Sequence, residues 1–195
     1  DKTVFAGRSL ESLCSKISVS GIGIIQLRDK FSAKGDVLNL ARKLASRLRA
    51  SNTLFIVNDY VDVALASKAD GVHLGQEDLP ISEARKILGK DKIIGISCHN
   101  LRQALEAQRQ GADYIGIGPV YATATKPEYQ PIGLKVLRQL KTKIKIPYFA
   151  IGDIREANIK QIVSAGATRA AVCRAILKSK NIQQTAKELL GELRT

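Results

Sequence analysis

Two stretches of the chain, LFIVND at residues 54–59 and GVHLGQED at residues 71–78, decide the fold that we predict. Each begins with a short apolar run and passes directly into polar side chains. A continuous apolar run of this length is typical of a buried strand in a parallel sheet. Since neighbouring parallel strands end at the same edge of a sheet, we expect Asp59 and Asp78 to meet there. Two carboxylates at such an edge can hold Mg²⁺, which often accompanies phosphates.

The same pattern recurs along the chain, where apolar runs alternate with segments of helical periodicity. The runs are residues 22–27, 54–57, 71–74, 93–96, 114–120, 148–151 and 170–173. Asp36 and Asn100 can each cap one of the intervening helices. A short motif of Ala, Asp and Gly also repeats at helix-to-strand turns, as in ADG at residues 69–71 and GAD at residues 111–113. Strands alternating with helices predict a parallel sheet with right-handed crossovers.

A sheet of this kind is either a (β/α)₈ TIM barrel or an open doubly wound sheet. Polar residues follow six of the strands, which favours the barrel, because its site draws on many strand ends at one face. We predict a single TIM-barrel domain over residues 1–195. Only seven strands are found, and the chain starts at Asp1 without any Met. We therefore expect the first strand to be missing or truncated, or to be improvised from residues 3–5.

Composition limits the partners of the protein. The net charge of +13 indicates anionic ligands, and we expect small phosphorylated substrates. Only 5% of residues are aromatic, without basic-aromatic interleaving, so nucleic acid is not expected. No apolar run is long enough to span a membrane, and the odd number of cysteines argues against a disulfide framework. We expect a cytoplasmic protein and leave a homodimer open.

Charged and hydroxyl side chains follow several of the predicted strands. QLRDK at residues 26–30 offers Arg28 and Lys30 to one anion, although a charged loop is the plainer interpretation. GPVYATATK at residues 118–126 brings two Thr hydroxyls and a Lys that suit a phosphate. We expect residues 29–35 to form a mobile lid. Asp59 has an alternative interpretation as the cap of the next helix.

The last two strands end in residues 152–153 and 173–174, where many barrels bind a phosphate on backbone N–H groups. Four further side chains are less informative. His73 is more typical of a structural residue, and His99 can reach the site. Cys98 could be a nucleophile, but no His or Asp partner pattern supports it, and Cys173 is expected in the core.

Taken together, these motifs make the chain resemble the thiamine phosphate synthase family. The resemblance is carried by residues 25–30, 58–64, 69–78, 95–97, 111–114 and 116–126, in this order and spacing. It implies a TIM barrel that joins a hydroxymethylpyrimidine diphosphate to a thiazole phosphate and releases pyrophosphate. It also places Asp1 at the end of the first barrel strand of the family.

The resemblance implies a role for each site residue. The pyrimidine diphosphate would be bound by Gln26, Arg28, Lys30, Asn58, Ser97 and Lys126. Of these, Arg28, Lys30, Ser97 and Lys126 would be catalytic. Mg²⁺ would be held by Asp59 and Asp78. The thiazole phosphate would be bound by Thr123, Thr125, Gly152, Asp153, Cys173 and Arg174.

Two positions depart from the family pattern, which usually has Gly at Asp153 and Ser at Arg174. We expect Arg174 either to pair with Asp153 or to project into the phosphate pocket. Two rival functions remain. A thiazole tautomerase shares the barrel but needs a His near Pro119, and a non-catalytic phosphate-ligand binding protein would need neither metal carboxylate.

Overall fold

The computed structural model describes residue 4, residues 9–124 and residues 128–194. Seven parallel strands form one sheet in chain order, and each of the seven predicted runs overlaps one of them. The strands are β1 Ile24–Leu27, β2 Leu54–Asn58, β3 Gly71–Leu74, β4 Ile93–Cys98, β5 Tyr114–Ile117, β6 Tyr148–Ile151 and β7 Ala170–Ala171. The predicted parallel α/β class is therefore confirmed.

Helices separate the strands. They are α1 Leu10–Ser18, α2 Lys34–Leu48, α3 Val61–Ala66, α4 Ile81–Leu88, α5 Leu101–Arg109, α6 Gly133–Lys143, α7 Glu156–Ser164, α8 Arg174–Leu177 and α9 Ile182–Leu193. Asn100 caps α5 as predicted, since its side chain accepts from the Gln103 N–H at 2.9 Å. The prediction for Asp36 is wrong. Helix α2 begins two residues earlier, and Asp36 lies in its first turn, where a carboxylate favours the helix dipole.

The strand order excludes a doubly wound sheet, because the order never reverses and leaves no switch point. A sheet with this order and right-handed crossovers keeps its helices on one face and curls into part of a barrel. Helix α9 contacts both α7 and α1, so the outer helical layer runs from the end of the chain back to its start. Within the described residues β7 and β1 are not paired. The predicted strand at residues 3–5 lies largely outside the described residues.

The core lies between the sheet and the helices. Alternate strand residues, such as Val57, Val72 and Ile94, are fully buried among apolar helix residues such as Leu44 and Ile81. Their strand neighbours point to the opposite, inner face of the sheet. In the part of the chain that the structure describes, no helix is long and apolar enough to cross a membrane.

The aspartates of the repeated helix-to-strand motif have a structural role at the amino-terminal edge of the sheet. Asp70 accepts a hydrogen bond from the Phe55 N–H at 2.7 Å, and Asp113 accepts one from the Ile94 N–H at 2.7 Å. In both cases the carboxylate at the start of one strand binds a backbone donor at the start of the preceding strand. These aspartates therefore complete the strand ladder where it begins.

Candidate active site

The inner face of the sheet carries the polar residues of the site near the carboxyl ends of the strands. Asn58, His73, Gly95 and Tyr114 are register partners on β2, β3, β4 and β5, so they share this face. Gly95 is required for close packing. A Cβ atom there would overlap the Tyr114 ring. The missing side chain of Gly95 thus makes room for Tyr114 beside His73.

A hydrogen-bonded network crosses this inner face. His73 Nδ1 lies 2.9 Å from the Tyr114 hydroxyl, and His73 Nε2 lies 2.9 Å from the Ser97 hydroxyl. Gln76 Nε2 donates to the Ser97 carbonyl at 2.6 Å. Burial raises the pKa of Tyr114, and a hydrogen bond with Gln26 offsets part of that rise. Two of the predicted substrate-binding residues, Gln26 and Ser97, are therefore linked through His73 and Tyr114.

Sequence reasoning assigned His73 a structural role and gave Tyr114 and Gln76 no role. His73 is 7% exposed and contacts Ser97 directly, so it orients a predicted site residue. A signal was present in the sequence. His73 lies between Val72 and Leu74 in an apolar strand, and side chains alternate between the two faces of a strand. A single polar residue at such a position indicates the inner face.

Asp59 follows β2 and faces two charged neighbours. Its carboxylate lies 2.9 Å from Lys30 Nζ, and its backbone N–H donates to the His73 carbonyl at 2.8 Å. Asp59 has a φ of 64°, a conformation that is uncommon for residues other than Gly. The alternative role as a helix cap is wrong, because Tyr60 is the N-cap of α3 and makes no side-chain capping bond.

The electrostatics of Asp59 indicate a ligand site. Burial raises the pKa of Asp59, Lys30 lowers it, and the neighbouring carboxylate of Asp78 raises it again. The structure therefore brings Asp59 and Asp78 together at one edge. Asp78 also accepts from the Gly75 N–H at 2.6 Å. No cluster of three or more His, Cys, Asp and Glu ligands occurs among the described residues, so a cation here would need oxygens from substrate and water.

The connection from β1 to α2 contributes the cations. Arg28 is half-buried and Lys30 is exposed. Asp29, between them, is buried and accepts from the Phe31 and Ser32 N–H groups at 3.1 Å each. The predicted lid at residues 29–35 includes the first two residues of α2, which begins at Lys34. Its mobility stays a prediction.

The opposite side of the site is formed by the ends of β6 and β7. Gly152 has a φ of 114°, and a Cβ atom there would lie 2.6 Å from Pro119 Cα. Asp153 also has a positive φ, 43°, and its carboxylate pairs with Arg155 at 3.1 Å. Arg174 is the first residue of α8. The expected pairing of Asp153 with Arg174 is wrong, since Arg155, two positions along the chain, takes that place.

The connection after β5 is only partly described. Thr123 is half-buried there, and the predicted site residues Thr125 and Lys126 lie outside the described residues. His99 Nδ1 lies 2.6 Å from the Gly118 carbonyl, and its ring stacks on Tyr129 at 4.4 Å between centroids. The side chain of His99 therefore supports the start of this connection.

The cysteines do not form a nucleophilic centre. Cys98 is fully buried, and burial raises the pKa of its thiol to about 12. A thiol with this pKa is not a thiolate at neutral pH, so the interpretation of Cys98 as a nucleophile fails. Cys173, expected in the core, is half-buried and precedes α8.

The fold and the site together define a class of protein: a parallel α/β enzyme with ligand groups at the carboxyl ends of its strands. A family described as thiamine monophosphate synthase matches residues 1–176. The chain is 45% identical to the thiamine-phosphate synthase of Halalkalibacterium halodurans, over 92% of this chain and 86% of that protein. It is 43% identical to that of Clostridium novyi, over 97% of this chain and 93% of that protein.

The solved structures agree. Thiamine phosphate pyrophosphorylase from Pyrococcus furiosus matches with a TM-score of 0.90 and 34% identity, over 100% of this chain and 92% of that one. A 3-hexulose-6-phosphate synthase, 19% identical with a TM-score of 0.70 over 93% of this chain and 91% of that one, shows the fold alone. The chain belongs to the thiamine monophosphate synthase family, as its motifs predicted, and is a transferase of thiamine biosynthesis.

Proposed function

We propose that this chain joins hydroxymethylpyrimidine diphosphate to a thiazole phosphate, or to its carboxylated form, to make thiamine phosphate and pyrophosphate. One observation carries the proposal beyond family membership. Lys30, Asp59 and Asp78 meet at the carboxyl edge of β1, β2 and β3, where a cation and two carboxylates face one another. A diphosphate that binds together with Mg²⁺ needs both kinds of charge at one place.

The donor set of the site fits Mg²⁺. Asp59 and Asp78 supply two hard oxygen ligands. Burial raises the pKa of Asp59, and the neighbouring Asp78 carboxyl group raises it further, while Lys30 lowers it. A divalent cation between the two carboxyl groups would favour their ionised forms. When bound, Mg²⁺ neutralises charge on the diphosphate oxygens. Mg²⁺ is therefore the cofactor that we propose, with Asp59 and Asp78 as its protein ligands.

The cations of the site act on the leaving group. As the bond from the pyrimidine methylene carbon to oxygen breaks, its electron pair leaves with pyrophosphate, and negative charge grows on that group. Arg28, Lys30 and Lys126 would stabilise this charge more in the transition state than in the ground state. Arg28 and Lys30 lie at the end of β1, beside the carboxylates. This arrangement supports their proposed catalytic role.

The inner face would hold the pyrimidine. Gln26, Asn58 and Ser97 present amide and hydroxyl groups there, and Ser97 is oriented by His73. The aminopyrimidine can support a cationic methylene, which the thiazole nitrogen then attacks to form the new carbon–nitrogen bond. No protein nucleophile is needed, in agreement with the inert thiol of Cys98. The chain mainly orients the two substrates and shields the cation.

The thiazole phosphate would lie at the ends of β6 and β7. The turns at Gly152 and Cys173 offer backbone N–H groups to its phosphate. Asp153 turns its carboxylate to Arg155, so its negative charge is paired. The proposed contacts are Thr123, Thr125, Gly152, Asp153, Cys173 and Arg174.

We also propose that an eighth strand completes the barrel between β7 and β1, and that the protein is cytoplasmic.

The decisive experiment is a pyrophosphate-release assay with both substrates and Mg²⁺. Pyrophosphate should form only when both substrates are present. Lys30→Ala should lower kcat/KM by about 100-fold, because a charge that meets the leaving group is lost. Lys34→Ala is the matched control, since this lysine, the first residue of α2, pairs with the exposed Asp62 at 3.1 Å. It should stay within about threefold of the unaltered chain.

The same assay tests the rival functions. A chain that isomerises a thiazole phosphate without the pyrimidine substrate, and releases no pyrophosphate, would be a tautomerase. A chain that binds phosphates but turns over neither substrate would be the non-catalytic binding protein. Either result would overturn the proposal.

A further inference from the structure

Asp29 is a buried carboxylate to which neither the motifs nor the proposed mechanism assigns a role. It follows β1 directly and lies between the two cations Arg28 and Lys30 in the chain. The residue is 5% exposed, whereas its neighbour Lys30 is exposed. Burying a carboxylate is costly unless its oxygens are hydrogen-bonded. The hydrogen bonds of the Asp29 carboxylate therefore indicate its structural role.

The side chain of Asp29 closes a tight turn. Its Oδ1 atom accepts from the Phe31 N–H and from the Ser32 N–H, each at 3.1 Å. These two bonds hold the backbone of residues 29–32 in a bend. An alternative role as a helix cap does not fit, because the N-cap of α2 is Ala33 and makes no side-chain bond.

Lys30 lies within this turn, and its Nζ atom reaches the Asp59 carboxylate at 2.9 Å across the neighbouring strand end. The Lys30 side chain is 47% exposed and the Asp59 side chain is 14% exposed, so solvent screens the pair only in part. Holding a long lysine side chain in one geometry costs conformational entropy. A backbone that already directs Lys30 toward Asp59 would lower that cost, and the two hydrogen bonds of Asp29 hold the backbone next to Lys30.

We propose that Asp29 is a positioning residue of the diphosphate site, which acts by holding the turn of residues 29–32 so that Lys30 faces the diphosphate. The proposal rests on the proposed function, because it takes the diphosphate to be the ligand of Lys30. Asp29 touches no reacting atom in this scheme. Its effect reaches the substrate only through Lys30.

The test is a double-mutant cycle read by binding of inorganic pyrophosphate with Mg²⁺, measured by titration calorimetry. Asp29→Ala should weaken pyrophosphate binding by about tenfold in the unaltered chain. On the Lys30→Ala background the same substitution should change binding by less than about twofold, because the group that it positions is already gone. Additive effects of the two substitutions would overturn the proposal.

The conservative variant separates the turn from the charge. Asp29→Asn keeps an acceptor oxygen and removes the charge, so it should bind pyrophosphate within about threefold of the unaltered chain. A loss as large as that of Asp29→Ala would mean that the charge matters and not the turn. If Asp29→Ala fails to fold, Asp29→Ser takes its place in the cycle. Its shorter side chain should cost about threefold, and only where Lys30 is present.

Steady-state kinetics compare the KM values of the two substrates, and general destabilisation of the chain would not change one of them alone. Asp29→Ala should raise KM for the pyrimidine diphosphate and leave KM for the thiazole phosphate unchanged. Equal changes in both KM values would contradict a role at the diphosphate. The binding assay does not depend on turnover. If the unaltered chain binds pyrophosphate but releases none, the proposed function fails while the cycle still decides the role of Asp29.

Discussion

The aspartates at the two edges of the sheet differ in what their carboxylates bind. At the amino-terminal edge, Asp70 and Asp113 accept backbone hydrogen bonds from the neighbouring strand at 2.7 Å. At the carboxyl-terminal edge, Asp59 faces the carboxylate of Asp78 and the side chain of Lys30. The first pair completes hydrogen bonds of the fold, while the second pair brings like charges together.

This difference separates stability from function. A carboxylate with fixed backbone donors favours the folded chain, because the unfolded chain lacks that geometry. A half-buried carboxylate such as that of Asp59, held at positive φ and placed beside another carboxylate, disfavours the folded chain. Such an arrangement persists in proteins where a ligand uses it. The comparison therefore predicts opposite effects of substitution at the two edges.

The largest expected effect is on activity at the carboxyl-terminal edge. Asp59→Asn should lower kcat/KM for pyrophosphate release by about 100-fold or more, because a proposed Mg²⁺ ligand is lost. It should also abolish the rise in melting temperature that Mg²⁺ and pyrophosphate together produce in the unaltered chain. Asp113→Asn is the matched control and should retain both. Equal losses of kcat/KM in the two variants would contradict the proposed difference between the two edges.

The second effect is on stability at the amino-terminal edge. Asp70→Ala leaves the N–H of the buried Phe55 without its side-chain acceptor and should lower the free energy of unfolding by about 1–3 kcal/mol. Denaturant unfolding measures this loss. Asp70→Asn keeps an acceptor and should lose less. Below the unfolding transition both variants should keep the kcat/KM of the unaltered chain, and a large loss of kcat/KM would contradict the assignment.

A smaller effect is the pH dependence of Asp59→Asn. Because burial raises the pKa of Asp59 in the folded chain, the ionised carboxylate opposes folding. That cost is absent below the pKa of the unfolded chain and develops as pH rises through the raised pKa. Without Mg²⁺, Asp59→Asn should therefore melt like the unaltered chain at low pH and at higher temperature near neutral pH. A melting-temperature difference that shrinks as pH rises would contradict this.

The smallest expected effect is at Cys98. Its thiol is buried with a pKa of about 12, so Cys98→Ala should change kcat/KM by less than about threefold. Iodoacetamide should modify the half-buried Cys173 well before Cys98 in the folded chain. Rapid modification of Cys98 together with loss of activity would contradict this prediction and support Cys98 as a nucleophile.

The sequence predicted those site residues that directly follow a strand, because the apolar runs show where the strands end. Apolar runs located all seven strands, so the residues that follow them, such as Asp59 and Asp78, were expected at one edge. Local capping was predicted less well. Asn100 caps its helix, whereas Asp36 does not, because α2 starts earlier than its hydrophobic pattern indicates. The roles of Thr125 and Lys126 stay predictions.

The pairing of Asp153 with Arg155 instead of Arg174 is a contact between residues two positions apart, and it accompanies a positive φ at Asp153 that the sequence does not announce. The network of His73, Tyr114 and Ser97 depends on contacts between distant segments. It requires three strands in register and a glycine on β4 opposite the Tyr114 ring. This network is not encoded in a local pattern.

The sequence by itself determined the parallel α/β class, the places of the seven strands along the chain and the edge at which charged residues gather, because apolar periodicity and turn residues act over short distances. Only the tertiary structure decided which carboxylate completes the sheet and which faces another charge. Asp70 and Asp59 are the same residue type, eleven positions apart. Register and backbone conformation place one beside an N–H donor and the other beside Asp78, and the resulting solvation and charge set their opposite roles.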